Sequence, residues 1–159
     1  MKRLTMISVP ALAAALLCFA AARAATSYND TVRAVQTASA DGPASVTFIL
    51  EAAGDLHGMG KVTLRREGTN VVGGTWSLTV LPAEADASSS EKGRLEGDVT
   101  GGSLAFDPDD TLSGASAVQL TVESGTGQHA SVSGGSGTLT LSRDIENPPK
   151  LKGTLSLNF

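Results

Sequence analysis

The chain has 159 residues, enough for one domain, with 12 lysines and arginines against 16 aspartates and glutamates and a formal net charge of −4. That acidic balance, with no basic patch interleaved with aromatics, argues against nucleic-acid binding. A single cysteine, Cys18, excludes an internal disulfide framework, and two histidines leave little from which to build a metal site, so neither a metal nor a cofactor is expected.

Met1-Lys2-Arg3 is basic, Ile7 to Ala22 is an uncharged apolar run, and Ala22-Arg23-Ala24 is a small-x-small cleavage pattern. These three parts predict a secretory signal peptide over residues 1–24, with Ala25 as the new N-terminus. The apolar run is short for a span of about 20 residues, so the chain is expected to be secreted or periplasmic and not membrane-spanning. Cys18 would leave with this leader. Leu17 before it is bulky where a lipoprotein signal wants a small residue. Loss of Lys2, Arg3 and Arg23 reduces the 12 basic residues to nine against 16 acidic ones, a net charge of −7. The acidic residues are spread along the chain, which reads as solubility.

Residues 25–43 are polar and lack a clear period, and they read as a flexible arm or an edge strand. Asn29-Asp30-Thr31 within them is a glycosylation acceptor pattern. From Ala44 the chain alternates. Val46, Phe48, Leu50 and Ala52 share one face of a predicted strand. Val62 and Leu64 do so in the next, and Trp76, Leu78 and Val80 in the third. Glycines, with Asp55 and the Glu67-Gly68-Thr69-Asn70 cluster, mark the turns between them. Pro82 to Lys92 reads as a polar loop. Leu95 and Val99, then Leu104 and Phe106, then Val118, Leu120 and Val122 continue the period of two. A glycine-rich bend from Ser124 leads into Leu139 and Leu141, and Leu151 to Phe159 closes the series.

About eight strands at intervals of roughly ten residues, with no sustained helical period, predict an all-β domain over residues 44–159. The expected form is an antiparallel barrel of about eight strands, because closure leaves no exposed edge; a β-sandwich is the alternative. An eight-strand barrel is either filled by side chains or holds one small ligand.

The chemistry-bearing signals are few. Asp55-x-His57 and His129 could ligate a metal only if the fold brought them together. Asp107 to Asp110 lacks the spacing of a calcium loop and reads as a turn. Gly134-Gly135-Ser136-Gly137 is not followed by the helix that a nucleophile elbow needs. The functional expectation is an exported barrel that binds a small apolar molecule or a protein partner, with Phe48, Trp76 and Phe106 as the ligand-binding residues. A structural envelope or matrix role is a further alternative.

Gly125-Thr126-Gly127-Gln128-His129-Ala130, followed by Gly134 and by Gly137-Thr138, resembles the G-T-G bend before the late strands of dirigent-like and allene oxide cyclase-like β-barrels. The resemblance covers about a quarter of the chain, with His129 where an aromatic is usual. It implies an eight-stranded antiparallel barrel, often a homo-oligomer, with an apolar cavity at one end. Such barrels guide the coupling or cyclisation of a reactive small molecule by shape. The acidic and arginine residues that act in those families have no counterpart here, so no catalytic residue is carried over. Gly74-Thr75-Trp76 is also similar to the G-x-W start of lipocalin and avidin-type barrels, although it falls on about the third strand. Trp76 reads there as a core or barrel-plugging residue.

Overall fold

A computed structural model describes residues 25–37, 44–81, 93–107, 111–144 and 150–159; the predicted signal peptide and the 82–92 loop interior lie outside them. Nine strands appear: β1 (Ser27–Thr37), β2 (Ser45–Gly54), β3 (Gly58–Glu67), β4 (Asn70–Val80), β5 (Gly93–Ser103), β6 (Ser116–Val122), β7 (Ser124–Thr126), β8 (Gly135–Arg143) and β9 (Leu151–Asn158). Each pairs antiparallel with its neighbours, and β4–β5 and β1–β9 pairings close the ring. The result is an eight-strand meander barrel in which the short β7 takes over from β6 along β5. The barrel expectation is met, and the sandwich alternative is replaced by closure.

Period two puts one face of each strand inside. Val46, Phe48, Leu50 and Ala52 of β2 are 0–4 % exposed, as are Trp76, Leu78 and Val80 of β4. Leu139 and Leu141 of β8 and Leu155 and Leu157 of β9 meet them from the opposite wall. Small inward residues such as Ala34, Ala52 and Gly137 leave room for the leucines and Phe48, the size alternation by which small barrels fill their interior. Side chains lining a ligand-sized void would be reachable by water, and these are not. The barrel is therefore packed. Its apolar face points inward, the reverse of a membrane barrel with an apolar lipid-facing band. No helix among the described residues is long and apolar enough to cross a membrane.

Residues 27–37, read from the sequence as an arm or edge strand, form β1, which is bonded on both sides by β2 and β9. Its inward set is Tyr28, Asp30, Val32 and Ala34, since these face Leu157, Leu155, Gly153 and Leu151. A carboxylate and an alanine in that set masked the period. Leu104 and Phe106, read as strand residues, instead follow β5 into a loop that folds over one barrel end. Leu104 and Leu112 are 2 % and 0 % exposed there, and Phe106 pairs with Leu112 in an isolated bridge. The Leu112 N–H donates to Gln36 Oε1 at 3.0 Å, and the Ala105 N–H to Ser116 Oγ at 3.0 Å.

One interruption organises the wall between β5 and β6. Val99 faces Leu120 and Glu96 faces Ser124, so three residues of one strand span what Gly97 and Asp98 span on the other. The Thr121 carbonyl lies on the longer, three-residue side of this irregularity. The Trp76 indole N–H donates to it at 2.8 Å. Gly97 makes the arrangement possible, because a Cβ there would lie 1.9 Å from that same oxygen.

Candidate functional site

The two barrel ends are closed differently. At the end where β2 turns into β3, Leu56 is 1 % exposed and caps the core. Asp30 holds it there: Oδ1 accepts from the Leu56 N–H at 2.8 Å, while Asp55 Oδ2 accepts from the Asn29 N–H at 2.9 Å. Asp30 itself is 2 % exposed, and its Oδ2 has no partner among the described residues. Burial raises its pKa, the Leu56 N–H works against that rise, and the charge of Asp55 adds to it.

Beside this cap the chain leaves a cleft of about 450 Å³. Its floor is aromatic. Tyr28, at the start of β1, stacks on Phe159, just past β9, with ring centroids 4.9 Å apart and planes 21° from parallel. The register sets this contact, because Ser27 pairs with Asn158 and Thr26 exchanges backbone hydrogen bonds with Phe159. His129 meets both rings edge-on, at 6.4 Å and 85° to Tyr28 and 6.2 Å and 89° to Phe159. Edge-to-face and offset stacks are the favoured aromatic geometries.

His129 ends a short 3-10 turn, Gly127–His129, between β7 and β8. That turn packs onto Gly125, where an added Cβ would meet the His129 carbonyl oxygen at 2.2 Å. The imidazole is buried at 8 % exposure, and desolvation lowers its pKa, which favours the neutral ring. Gln128 Nε2 lies 3.1 Å from His129 Nε2; when the amide donates, the ring proton sits on Nδ1. Gln128, Ser131 and Ser133 supply hydrogen-bonding groups to the rim, and among the described residues no charged side chain lines the cleft. The site can hold a ring against Tyr28 and Phe159 and hydrogen-bond a neutral polar group at its edge.

The residues expected to bind a ligand lie elsewhere. Phe48 and Trp76 share one row of the sheet, each opposite Val62, and both are buried in the core. Phe106 is half-buried at the far end, with the Arg66 guanidinium 4.5 Å from its ring centroid. The structure does not gather the three around one cavity. Asp55 serves the β2–β3 turn and His57 is exposed. No cluster of three or more metal-ligating side chains occurs among the described residues. Of the cleft residues, His129 stood out in the sequence as the odd member of the G-T-G stretch. Tyr28 and Phe159 carried a weaker signal: each is the outermost residue of a period-two series.

Comparison with family models, curated proteins and solved structures finds no match for this chain.

Proposed function

We propose that this chain is an exported β-barrel that binds a small, uncharged, amphipathic molecule in the Tyr28–His129–Phe159 cleft. The observation that carries this reading is an aromatic floor with a neutral polar rim, in a cleft of about 450 Å³. Its volume falls within the roughly 300–1,000 Å³ of small-molecule sites, and aromatic rings with a few polar groups are what such sites use to orient a ligand. The packed interior moves the expected ligand from the barrel axis to this end. A neutral His129 suits an uncharged partner, and no lysine or arginine side chain is among the described residues of the cleft lining. Export is supported by the basic start, apolar run and small-x-small pattern of residues 1–24.

The test is native mass spectrometry of the mature protein, paired with nuclear magnetic resonance of the His129 ring protons. A co-purified neutral molecule that shifts those resonances is expected. Phe159→Ala should weaken its binding at least tenfold, a loss of about 1.4 kcal/mol. Recovery of no molecule, or binding untouched by Phe159→Ala, overturns the reading. N-terminal sequencing of the exported form, with Ala25 expected first, tests the leader separately.

Two further observations favour neighbouring readings. The eight-strand count and the G-T-G bend entering β8 support a dirigent-like or allene oxide cyclase-like barrel, whose shape-guided chemistry would then use the end cleft. The packed interior supports a structural envelope or matrix role, the reading to adopt if the cleft binds nothing.

A further inference from the structure

The outer wall of the barrel is divided by charge. Outward positions of β2 to β5 carry Glu51, Lys61, Arg65, Arg94, Glu96 and Asp98. The outward positions of β1, β9, β8 and β6 form a grid with none over three successive rows. Register places Ser27, Asn158, Ser136 and Thr121 in the first row. Asn29, Ser156, Thr138 and Gln119 form the second, and Thr31, Thr154, Thr140 and Ala117 the third. Every position except Ala117 is a neutral hydroxyl or amide. Charge returns in the next row at Arg33 and Lys152, and the Asp55 carboxylate borders the grid beside Asn29. Soluble surfaces ordinarily mix both signs of charge through such an area.

The grid is also ordered before any partner arrives. Ser27 Oγ donates to Asn158 Oδ1 at 2.6 Å and Ser156 Oγ donates to Asn29 Oδ1 at 2.8 Å. Thr140 Oγ1 and Thr154 Oγ1 lie 2.8 Å apart. A hydroxyl has one donor and two acceptor sites, and each of these asparagines keeps its NH₂ donors, so capacity remains facing outward. Side chains held this way lose less entropy on binding. Neighbouring hydrogen-bonding groups repeat at about 4.8 Å across the strands and roughly 6.7 Å along them.

We propose that this face binds a neutral polysaccharide chain. The match is one of charge: an uncharged array of donors and acceptors suits an uncharged polymer that presents hydroxyls along its length. A polyanion needs cations, which the three rows lack. A protein partner ordinarily needs an aromatic or arginine anchor, also absent from them. Ice offers a flat lattice, whereas neighbouring strands rotate by about 20–25° and curve this wall away from a plane. A single flexible chain follows that curve.

The test is affinity electrophoresis of the folded protein through native gels containing dextran, soluble starch or hydroxyethyl cellulose, with heparin as the charged comparison. Retardation by at least one neutral polymer and none by heparin is expected. Thr154→Lys should weaken it at least tenfold, and Thr75→Lys on the charged half should leave it unchanged. Should Thr154→Lys fail to fold, Thr154→Val keeps the shape, removes the hydroxyl, and should weaken retardation several-fold. Migration unaffected by all three neutral polymers overturns the proposal, as does retardation that survives both Thr154 variants. Adsorption to growing ice crystals without polysaccharide retardation also overturns it, assigning the face to ordered water.

Discussion

The two ends of this barrel solve the same problem by different means. At the β5–β6 end, Leu104 and Leu112 drop into the core, and Gln36 and Ser116 satisfy the backbone N–H groups that this loop carries inward. At the other end Leu56 caps the core among the described residues, tethered by the half-satisfied Asp30 carboxylate, and the aromatic cleft opens beside it. One end spends its apolar side chains on closure. The other leaves Tyr28 and Phe159 partly buried beside a buried His129, and it is there that the proposed ligand would sit.

Leu112→Ala should break the closed end with the largest effect. Deleting a fully buried leucine costs about 2–5 kcal/mol, read by chemical denaturation. Ligand occupancy of the distant cleft in the folded fraction should be unchanged. If binding falls as steeply as stability, the ends are not independent. Gly125→Ala acts at the open end. Its Cβ has no room against the His129 carbonyl, so a loss of about 1–3 kcal/mol is expected from overpacking, together with displaced His129 ring resonances. Unmoved resonances would mean that Gly125 does not seat the turn.

A pH titration of stability sharpens the comparison further. The folded pKa of His129 lies below its ordinary value of 6.5, so the unfolded chain takes up the proton first. Its contribution is present above pH 6.5 and is lost as pH falls through the folded value. His129→Gln should flatten that part of the profile, and an unchanged profile would discount the buried imidazole. Asp30 works in the opposite sense: its raised pKa makes the folded state favour the proton, so its contribution is present below 3.8 and is lost as pH rises through the folded value. The smallest change belongs to Arg143→Ala at the closed end. Arg143 Nη1 lies 3.3 Å from Asp107 Oδ2 on a partly exposed surface, and such pairs contribute about 0–1 kcal/mol. A larger loss in denaturation would mean that this ion pair holds the loop in place.

Much of the wall was legible because period-two apolar runs have a single physical explanation. Val46 to Ala52, Trp76 to Val80 and Leu151 to Leu157 announce both strand and inward face. β1 was hidden because its inward set mixes Tyr28, Asp30, Val32 and Ala34, and no local rule tells a buried carboxylate from an exposed one. The Leu104–Phe106 alternation misled for the converse reason, since an apolar loop plugging a barrel end carries the same pattern as a strand.

Local alternation and glycine punctuation thus determined the fold class, because each strand's sidedness is written in its own neighbours. Closure of the ring, the packed interior, the Tyr28–His129–Phe159 cleft and the uncharged outer grid were decided only by tertiary structure. Each depends on register between strands far apart in the chain, and register follows from the fit of the whole core, which no single segment contains.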